Sequence, residues 1–302
     1  GFVGMHIINS FIQNDSGTIY CVMRDKNGKG SLNRFLDVLH FYFGNSLDRY
    51  VGNRIIVLKG DIVKEKFGLS NRSYENIINN VSTIINAAAN VKHFGNFDKF
   101  KSINIDTIKH TIEFCKRYSK RLIHLSTLSI SGNMFLDGSI SRDTLKNNKK
   151  VYFAENNLFI HQSLDNVYTR SKFEAEKIIL DDISNGLDAQ ILRLGNITSR
   201  ASDGKFQINP ENNAFTNRLK SFVILGLVPK SLLKQEIEFT AVDLCSDAII
   251  KILQNKSTHI SVLHLYNRNH ITGGKIFKAF EELGTPIKAV SDSAFMDFIN
   301  QH

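Results

Sequence analysis

The sequence predicts an α/β fold built on a parallel doubly wound sheet, with a smaller C-terminal lobe. Five short apolar runs rich in β-branched residues recur between residues 18 and 197, and segments with helical spacing separate them. With 302 residues, 42% hydrophobic and 22% charged, the chain can bury a sizeable core as one globular domain with an appended lobe.

In chain order, Met5 to Gln13 reads as the first helix and "TIYCVMR" (Thr18 to Arg24) as the first buried strand. Leu32 to Phe43 is helical, and "RIIVLKGD" (Arg54 to Asp61) and "VSTIINAAA" (Val81 to Ala89) are the next strands. Asn104 to Tyr118 is a helix, followed by the strand "RLIHLSTLSISG" (Arg121 to Gly132). Ser171 to Ile183 is the last long helix before the strand "AQILRLGNI" (Ala189 to Ile197). Beyond Asn196 the pattern loosens, then gives a helical stretch Asn217 to Leu225 and a strand-like "IEFTAV" (Ile237 to Val242). Residues 1–200 are therefore assigned to the sheet domain and 201–302 mainly to the lobe, with about 237–268 returning to the sheet.

No apolar run approaches the roughly 20 residues that span a bilayer, so no membrane segment is expected. Cys21, Cys115 and Cys245 are far apart and form no CxxC pair, which speaks against a disulfide framework or a zinc site and fits a reducing cytoplasm. The net charge of +9 is scattered; its one dense group, Lys146, Lys149 and Lys150, reads as a solvated loop. Nucleic acid is accordingly set aside in favour of a phosphorylated cofactor or an acidic protein partner.

"GFVGMHII" (Gly1 to Ile8) has the form of the last two glycines of a Gly-x-x-Gly-x-x-Gly turn opening a helix, where absent side chains let a pyrophosphate approach the helix N-terminus. The strand and first glycine that would precede such a turn are expected upstream, which makes this a segment of something longer. The next strand ends at Arg24, where an NAD-binding protein usually has an acid against the ribose 2′-hydroxyl. A cation there favours a 2′-phosphate, hence NADP, with Arg34 as a second, weaker clamp; the alternative is a surface Arg24 partly paired with Asp25. Gly60-Asp61 stands where a carboxylate can meet the adenine amino group, and "NAAA" (Asn86 to Ala89) where small side chains let backbone pass under a cofactor. Tight packing at a strand end explains either one equally well.

Tyr168 and Lys172, four apart, share one helical face, and of eight tyrosines only this one has a lysine four residues on. Hydride addition to a carbonyl builds negative charge on oxygen, which needs a positioned acid and hydrogen-bond donors. A phenol near pKa ~10 is a poor acid at neutral pH, and an adjacent ammonium is expected to lower it. Thr127 is the expected second donor, with Ser126 and Ser129 close enough to compete.

With these residues in order the chain resembles the extended short-chain dehydrogenase/reductases, and within them the thioester reductase domains of non-ribosomal peptide synthetases and carboxylic acid reductases. "GFVG", "VMR", "STIINAAANVKHFG", "KSINIDTIKHTIEFC", "LIHLSTLSISG" and "YTRSKFEAE" carry the wider likeness; "RLGNITSRASDGKFQIN" and "EFTAVDLCSDAII" are more particular to thioester reductases. The resemblance implies a Rossmann-type fold and NADPH-dependent reduction of a peptidyl thioester held on the phosphopantetheine arm of a carrier protein, expected in the same polypeptide. The product would be an aldehyde and a free thiol; some members reduce again to the alcohol. By position, Thr127, Tyr168 and Lys172 would be catalytic, Lys172 also binding the nicotinamide ribose, while Gly1, Gly4, Arg24, Arg34, Asp61, Ala88 and Asn104 would line or support the cofactor site, with Gly195 and Asn196 beside the nicotinamide. The resemblance also implies more chain beyond "SAFMDFINQH". Rival readings are a fatty acyl-CoA reductase or sugar-nucleotide enzyme with the same Tyr-Lys machinery, and a non-catalytic NADP-sensing regulator, which would typically have lost that pair.

Overall fold

The computed structural model describes residues 1–91, 95–132, 153–164, 166–255 and 260–301. Lys146, Lys149 and Lys150, and Lys92, His93 and Phe94 of the "NVKHFG" string, lie outside the described residues.

The chain opens with helix α1 (Phe2–Asn14), then β1 (Ile19–Met23), α2 (Ser31–Phe43), β2 (Ile55–Lys59), α3 (Asn71–Asn80) and β3 (Thr83–Asn86). Next come a helical turn α4 (Phe97–Phe100), a π-helical segment (Lys101–Asp106), α5 (Thr107–Tyr118) and β4 (Arg121–Thr127). Helix α6 (Val167–Ser184) starts on Asn166, whose side chain caps it by accepting the Thr169 amide at 2.8 Å, and leads into β5 (Ala189–Leu194). The short β6 (Ile197–Thr198) is followed by α7 (Ala214–Leu225), β7 (Leu227–Pro229), α8 (Lys230–Lys234), β8 (Glu236–Ile237) and β9 (Thr240–Ala241). The chain ends with α9 (Val242–Gln254), β10 (Val262–Leu265), β11 (Ile271–Thr272), α10 (Gly273–Glu282), β12 (Lys288–Val290) and α11 (Asp292–Gln301).

All the main strands pair in parallel, as the alternation of strand and helix requires. They form a four-stranded sheet ordered β10-β5-β4-β3 and a pair β1-β2. No ladder joins β1 to β3 among the described residues. Both sheets nevertheless feed the same clusters: Val22 and Ile84 enter one, while Cys21, Met23 and Ile85 pack against another. They therefore occupy one layer. Helices cover both faces, α1, α2 and α9 over the cluster holding Met5, Phe35, Leu39 and Ile249, and α5 and α6 over the cluster holding Ile108, Ile112, Ala175 and Ile179. Continuous burial of Leu122 to Thr127 and of Ala189 to Leu194 fits central strands sandwiched between helices.

The expected strands through residue 197 are present with trimmed ends, while α1, α2 and α6 extend beyond the helices expected there. "IEFTAV" differs: it is split into two-residue strands β8 and β9, and Val242 already starts α9. The segment after Asn196 also does more than cross into the lobe. It folds back on the start of the chain, with Phe206 edge-on to Phe2 at 5.7 Å, the Ile208 amide donating to the Tyr42 hydroxyl at 3.0 Å, and Arg200 over the Phe43 ring. Among the described residues no helix is long and apolar enough to cross a membrane. Cys115 and Cys245 are buried and Cys21 is half-buried; all three are free thiols that burial pushes up to about 12.

Candidate active site

Gly1 caps α1, and no side chain satisfies the amides of its first turn. A Cβ built at Gly1 or Gly4 would meet nothing within 4 Å. The glycines are thus not demanded by packing inside the chain, and the cradle they leave suits an anionic group approaching backbone amides. Arg34, in the first turn of α2, donates to the Arg24 carbonyl, which ties both arginines to the same edge. Arg24 itself is exposed just past β1. Pairing with Asp25 does not explain it: that carboxylate is held by Lys59 at 2.7 Å and by the Ser31 amide at 2.8 Å.

The strand-end residues divide between packing and open space. Gly60 is demanded by packing, since a Cβ there would lie 2.6 Å from the Phe67 carbonyl and 2.9 Å from Val22. Asp61 is half-buried, its amide bonded to the Phe67 carbonyl at 2.7 Å, and its carboxylate receives only a long contact from the Val63 amide at 3.4 Å. Ala88, past β3, is half-buried, and its amide donates to Asn86 at 3.1 Å. Asn104 is buried in the π-helical segment, which swings its side chain out of the regular α5 register. It accepts the Asn90 amide at 2.8 Å and donates to the Asn90 carbonyl at 3.2 Å and to the Ser171 hydroxyl at 2.8 Å. Asn104 thereby fastens the chain after β3 to the helix that carries Tyr168.

Thr127 closes β4, and its hydroxyl accepts the Ser129 amide at 3.1 Å. The Tyr168 phenol is hydrogen-bonded to the Thr127 side chain. One turn further along α6, Lys172 is buried and its Nζ donates to the Leu125 carbonyl at 2.7 Å. The structure brings these three groups together at the end of β4. Ser126 points away from Thr127 on the alternating strand and lies beside Glu176 instead.

The expected lowering of the phenol is reversed here. Burial pushes Tyr168 up to about 12, and only the Thr127 hydrogen bond opposes it. Burial also holds Lys172 down to about 8, with Glu176 pulling the other way. The lysine Nζ is turned to the Leu125 carbonyl, and the Thr127 hydrogen bond is the contact that favours the ionised phenol here.

Gly195 and Asn196 follow β5 and are fixed by a residue the sequence reading did not single out, Glu238. Its carboxylate accepts the Asn196 amide at 2.5 Å and the Asn267 amide at 3.2 Å, and takes the Thr240 hydroxyl as well. The signal was present, since Glu238 opens the "EFTAV" string, but pairing across 42 residues is not visible in spacing. Asn196 also lines two adjoining clefts of about 250 and 220 Å³, which share Phe215 and Leu219. Arg218, Phe222 and Phe277 complete the wall of the larger one. Among the described residues no group of three or more His, Cys, Asp or Glu could hold a metal ion.

The NAD-binding family profile described as male sterility protein matches residues 1–249. The thiolation-reductase di-domain of an archaeal non-ribosomal peptide synthetase superposes with a TM-score of 0.87 at 29% identity, over 100% of this chain and 61% of that one. Probable polyketide synthase 6 of Dictyostelium discoideum is 24% identical over 99% of the chain and 10% of its own length. A linear gramicidin synthase of Brevibacillus parabrevis is 21% identical over 100% of the chain and 6% of its own length. The chain thus spans a tenth or less of these two curated relatives.

Proposed function

Because this chain belongs to the male sterility family of NAD-binding domains, we propose that it is a thioester reductase domain of a multidomain synthase, releasing a carrier-bound peptidyl or acyl thioester as an aldehyde with NADPH. The observation that carries this is the junction of Thr127, Tyr168 and Lys172 at the end of β4, where Thr127 pairs with Leu194 on the strand that leads to Asn196. Residues 1–200 form the dinucleotide-binding part and 201–302 mainly the substrate lobe, with 237–268 returning to the sheet.

Gly1 and Gly4 would leave room for a pyrophosphate, Arg24 and Arg34 would hold the 2′-phosphate, Asp61 and Ala88 would border the adenosine half, and Asn104 would support the site. Bound NADPH supplies the hydride. Thr127 and Tyr168 donate hydrogen bonds to the thioester oxygen, stabilising it as negative charge develops. Tyr168 gives its proton to that oxygen, producing a hemithioacetal, and Lys172 stabilises the charge left on the phenol. Collapse breaks the carbon–sulfur bond: the hydroxyl proton goes back to the Tyr168 phenolate, the sulfur leaves as a thiolate that takes a proton from solvent, and the aldehyde and the carrier thiol are freed. Gly195 and Asn196 hold the wall beside the reacting carbon.

The carrier arm is long and thin, so it can thread the clefts at Asn196 while its protein stays outside, and the +9 charge favours an acidic carrier surface. The test is NADPH oxidation by the full-length synthase module with matched free acid, pantetheine thioester and loaded carrier. Loaded carrier is expected to give much the highest kcat/KM, falling with added salt. Reduction of free acid without ATP, or no turnover of any thioester, refutes the assignment.

A further inference from the structure

Behind Lys172 lies a buried ion pair that the reaction described above does not use. Glu176 and Arg193 are both 0% exposed. Arg193 Nε donates to both carboxylate oxygens at 3.3 and 3.0 Å, and its Nη2 lies 3.0 Å from Oε2. The far side of the guanidinium is also gripped: Nη1 donates to the Ala154 carbonyl at 3.3 Å and meets His264 Nε2 at 3.1 Å, and the Phe153 ring lies 4.5 Å away. Phe153 in turn stacks on His264, whose amide donates to Glu155. A charge pair this deep is expensive to desolvate and is often replaceable by apolar side chains without loss of stability. Its presence here therefore asks for a role besides stability.

Its position supplies one. Tyr168, Lys172 and Glu176 are successive members of one four-residue column on α6, so the carboxylate stands a turn below the ammonium. The groups that act on Lys172 are Glu176 on its own helix and His124 on β4. His124 is buried and held well below its ordinary range, hence neutral, so it adds no second positive charge beside the ammonium. Arg193 on β5 acts through Glu176, and the ion pair between α5 and α6, Lys116 with Asp182, lies more than two turns further along the helix. Burial raises the Glu176 carboxyl above its ordinary value, and Arg193 beside it opposes that rise.

We propose that Glu176, kept ionised by Arg193, is a positioning residue that holds Lys172 as a charged ammonium under Tyr168. This rests on the Tyr168–Lys172 reading of the site but on no particular acyl substrate. Two consequences follow. Loss of the carboxylate shifts the Lys172 titration to lower pH, and the charged lysine that supports the phenol is then depleted near neutrality.

The test uses the intact domain with lysine labelled with carbon-13 at Cε, the Lys172 resonance being the one absent from Lys172→Met. Its titration is followed by NMR in the native protein, in Glu176→Gln, and in Glu176→Gln/Arg193→Met, which leaves no unpaired buried charge. The midpoint is expected to fall by about half a unit or more in both variants, roughly a threefold change in the protonation constant, and Glu176→Asp should recover part of it. The alkaline limb of the reductase pH profile should move with it. A folded variant that keeps the native midpoint, or failure of both variants to fold, makes the pair a purely structural element and overturns the proposal. The titration needs neither substrate nor cofactor, so its failure is separable from failure of the thioester reading, which only the rate assays report.

Discussion

Glu238 fills the space that a side chain at residue 195 would need: a Cβ on Gly195 would lie 2.6 Å from its Oε2 and 2.7 Å from the Thr240 hydroxyl. The glycine is required by this close approach, because the same carboxylate must reach the Asn196 amide.

Gly195→Ala should therefore push Glu238 off Asn196, costing about 1–3 kcal/mol of stability as overpacked sites do. Turnover should fall by roughly tenfold or more as the wall beside the clefts shifts. Glu238→Ala vacates the space, so the double variant should lose less than the sum of the two singles. Urea unfolding of the four proteins measures this, and strict additivity would show that the two residues do not compete for space.

Arg24 gives the cofactor prediction. It is exposed past β1, and Asp25 is already paired with Lys59. NADPH should bind at least about tenfold tighter than NADH, a difference of about 1.4 kcal/mol, and Arg24→Ala should remove most of it. Equilibrium binding of the two cofactors decides the point, with equal affinities in the native domain as the contrary result.

These two sites also show what was legible in the sequence. The place of Arg24 past a strand end could be read because it depends on one local run, and the shared face of Tyr168 and Lys172 because a four-residue step on a helix is local. Glu238, Arg193 and His264 could not: each acts on residues far away in the chain through sheet and lobe contacts. The parallel strands were readable from apolar runs such as Leu122 to Thr127, which are buried throughout. Helix α9 was hidden because Val242 ends one apolar pattern and begins another. The π-helical segment was read as plain helix, since only its backbone register, not its composition, differs.

Tyr168→Phe should leave NADPH binding nearly intact while lowering turnover by roughly 10²-fold or more, the usual loss for a general acid. Lys172→Met should impair turnover and cofactor binding together. Stopped-flow hydride transfer and cofactor titration separate the two effects; full activity of the Phe variant would reduce Tyr168 to a packed helix residue.

The same pair sets a pH dependence of stability. Lys172 titrates at about 8 in the fold, against about 10.4 in an unfolded chain. Between those values the unfolded chain keeps a proton that the folded one has lost, so raising the pH stabilises the fold relative to Lys172→Met. Tyr168 acts in the opposite sense at higher pH. Its phenol is pushed up to about 12, above the free value of about 10, so the folded state keeps a proton the unfolded chain gives up and stability falls across that window. Denaturant midpoints of native protein, Lys172→Met and Tyr168→Phe between pH 7 and 11 should show a rising, then falling, difference; flat difference curves would mean that neither group is buried in its free form.

Asn104 offers a final test of how the Tyr168 helix is held. Its side chain bonds both main-chain groups of Asn90 and the Ser171 hydroxyl, and Ser171 in turn donates to the Tyr168 carbonyl at 2.8 Å. Removing the amide leaves the Asn90 amide and the Ser171 hydroxyl short of partners in a buried place, a loss of about 2–3 kcal/mol. Asn104→Ala should accordingly lower Tm by several degrees, since about 1 kcal/mol corresponds to roughly 2–4 °C in a chain of this size class. Because Arg24 lies on another edge, the NADPH to NADH preference should stay unchanged while turnover drops through a loosened Tyr168. Asn104→Asp keeps the acceptor for the Asn90 amide but loses the donor to Ser171, so it should fall between native and Ala in both measurements. An Ala variant with native Tm and native turnover would mean that α6 is held by its packing against Ile108 and Ile112 alone.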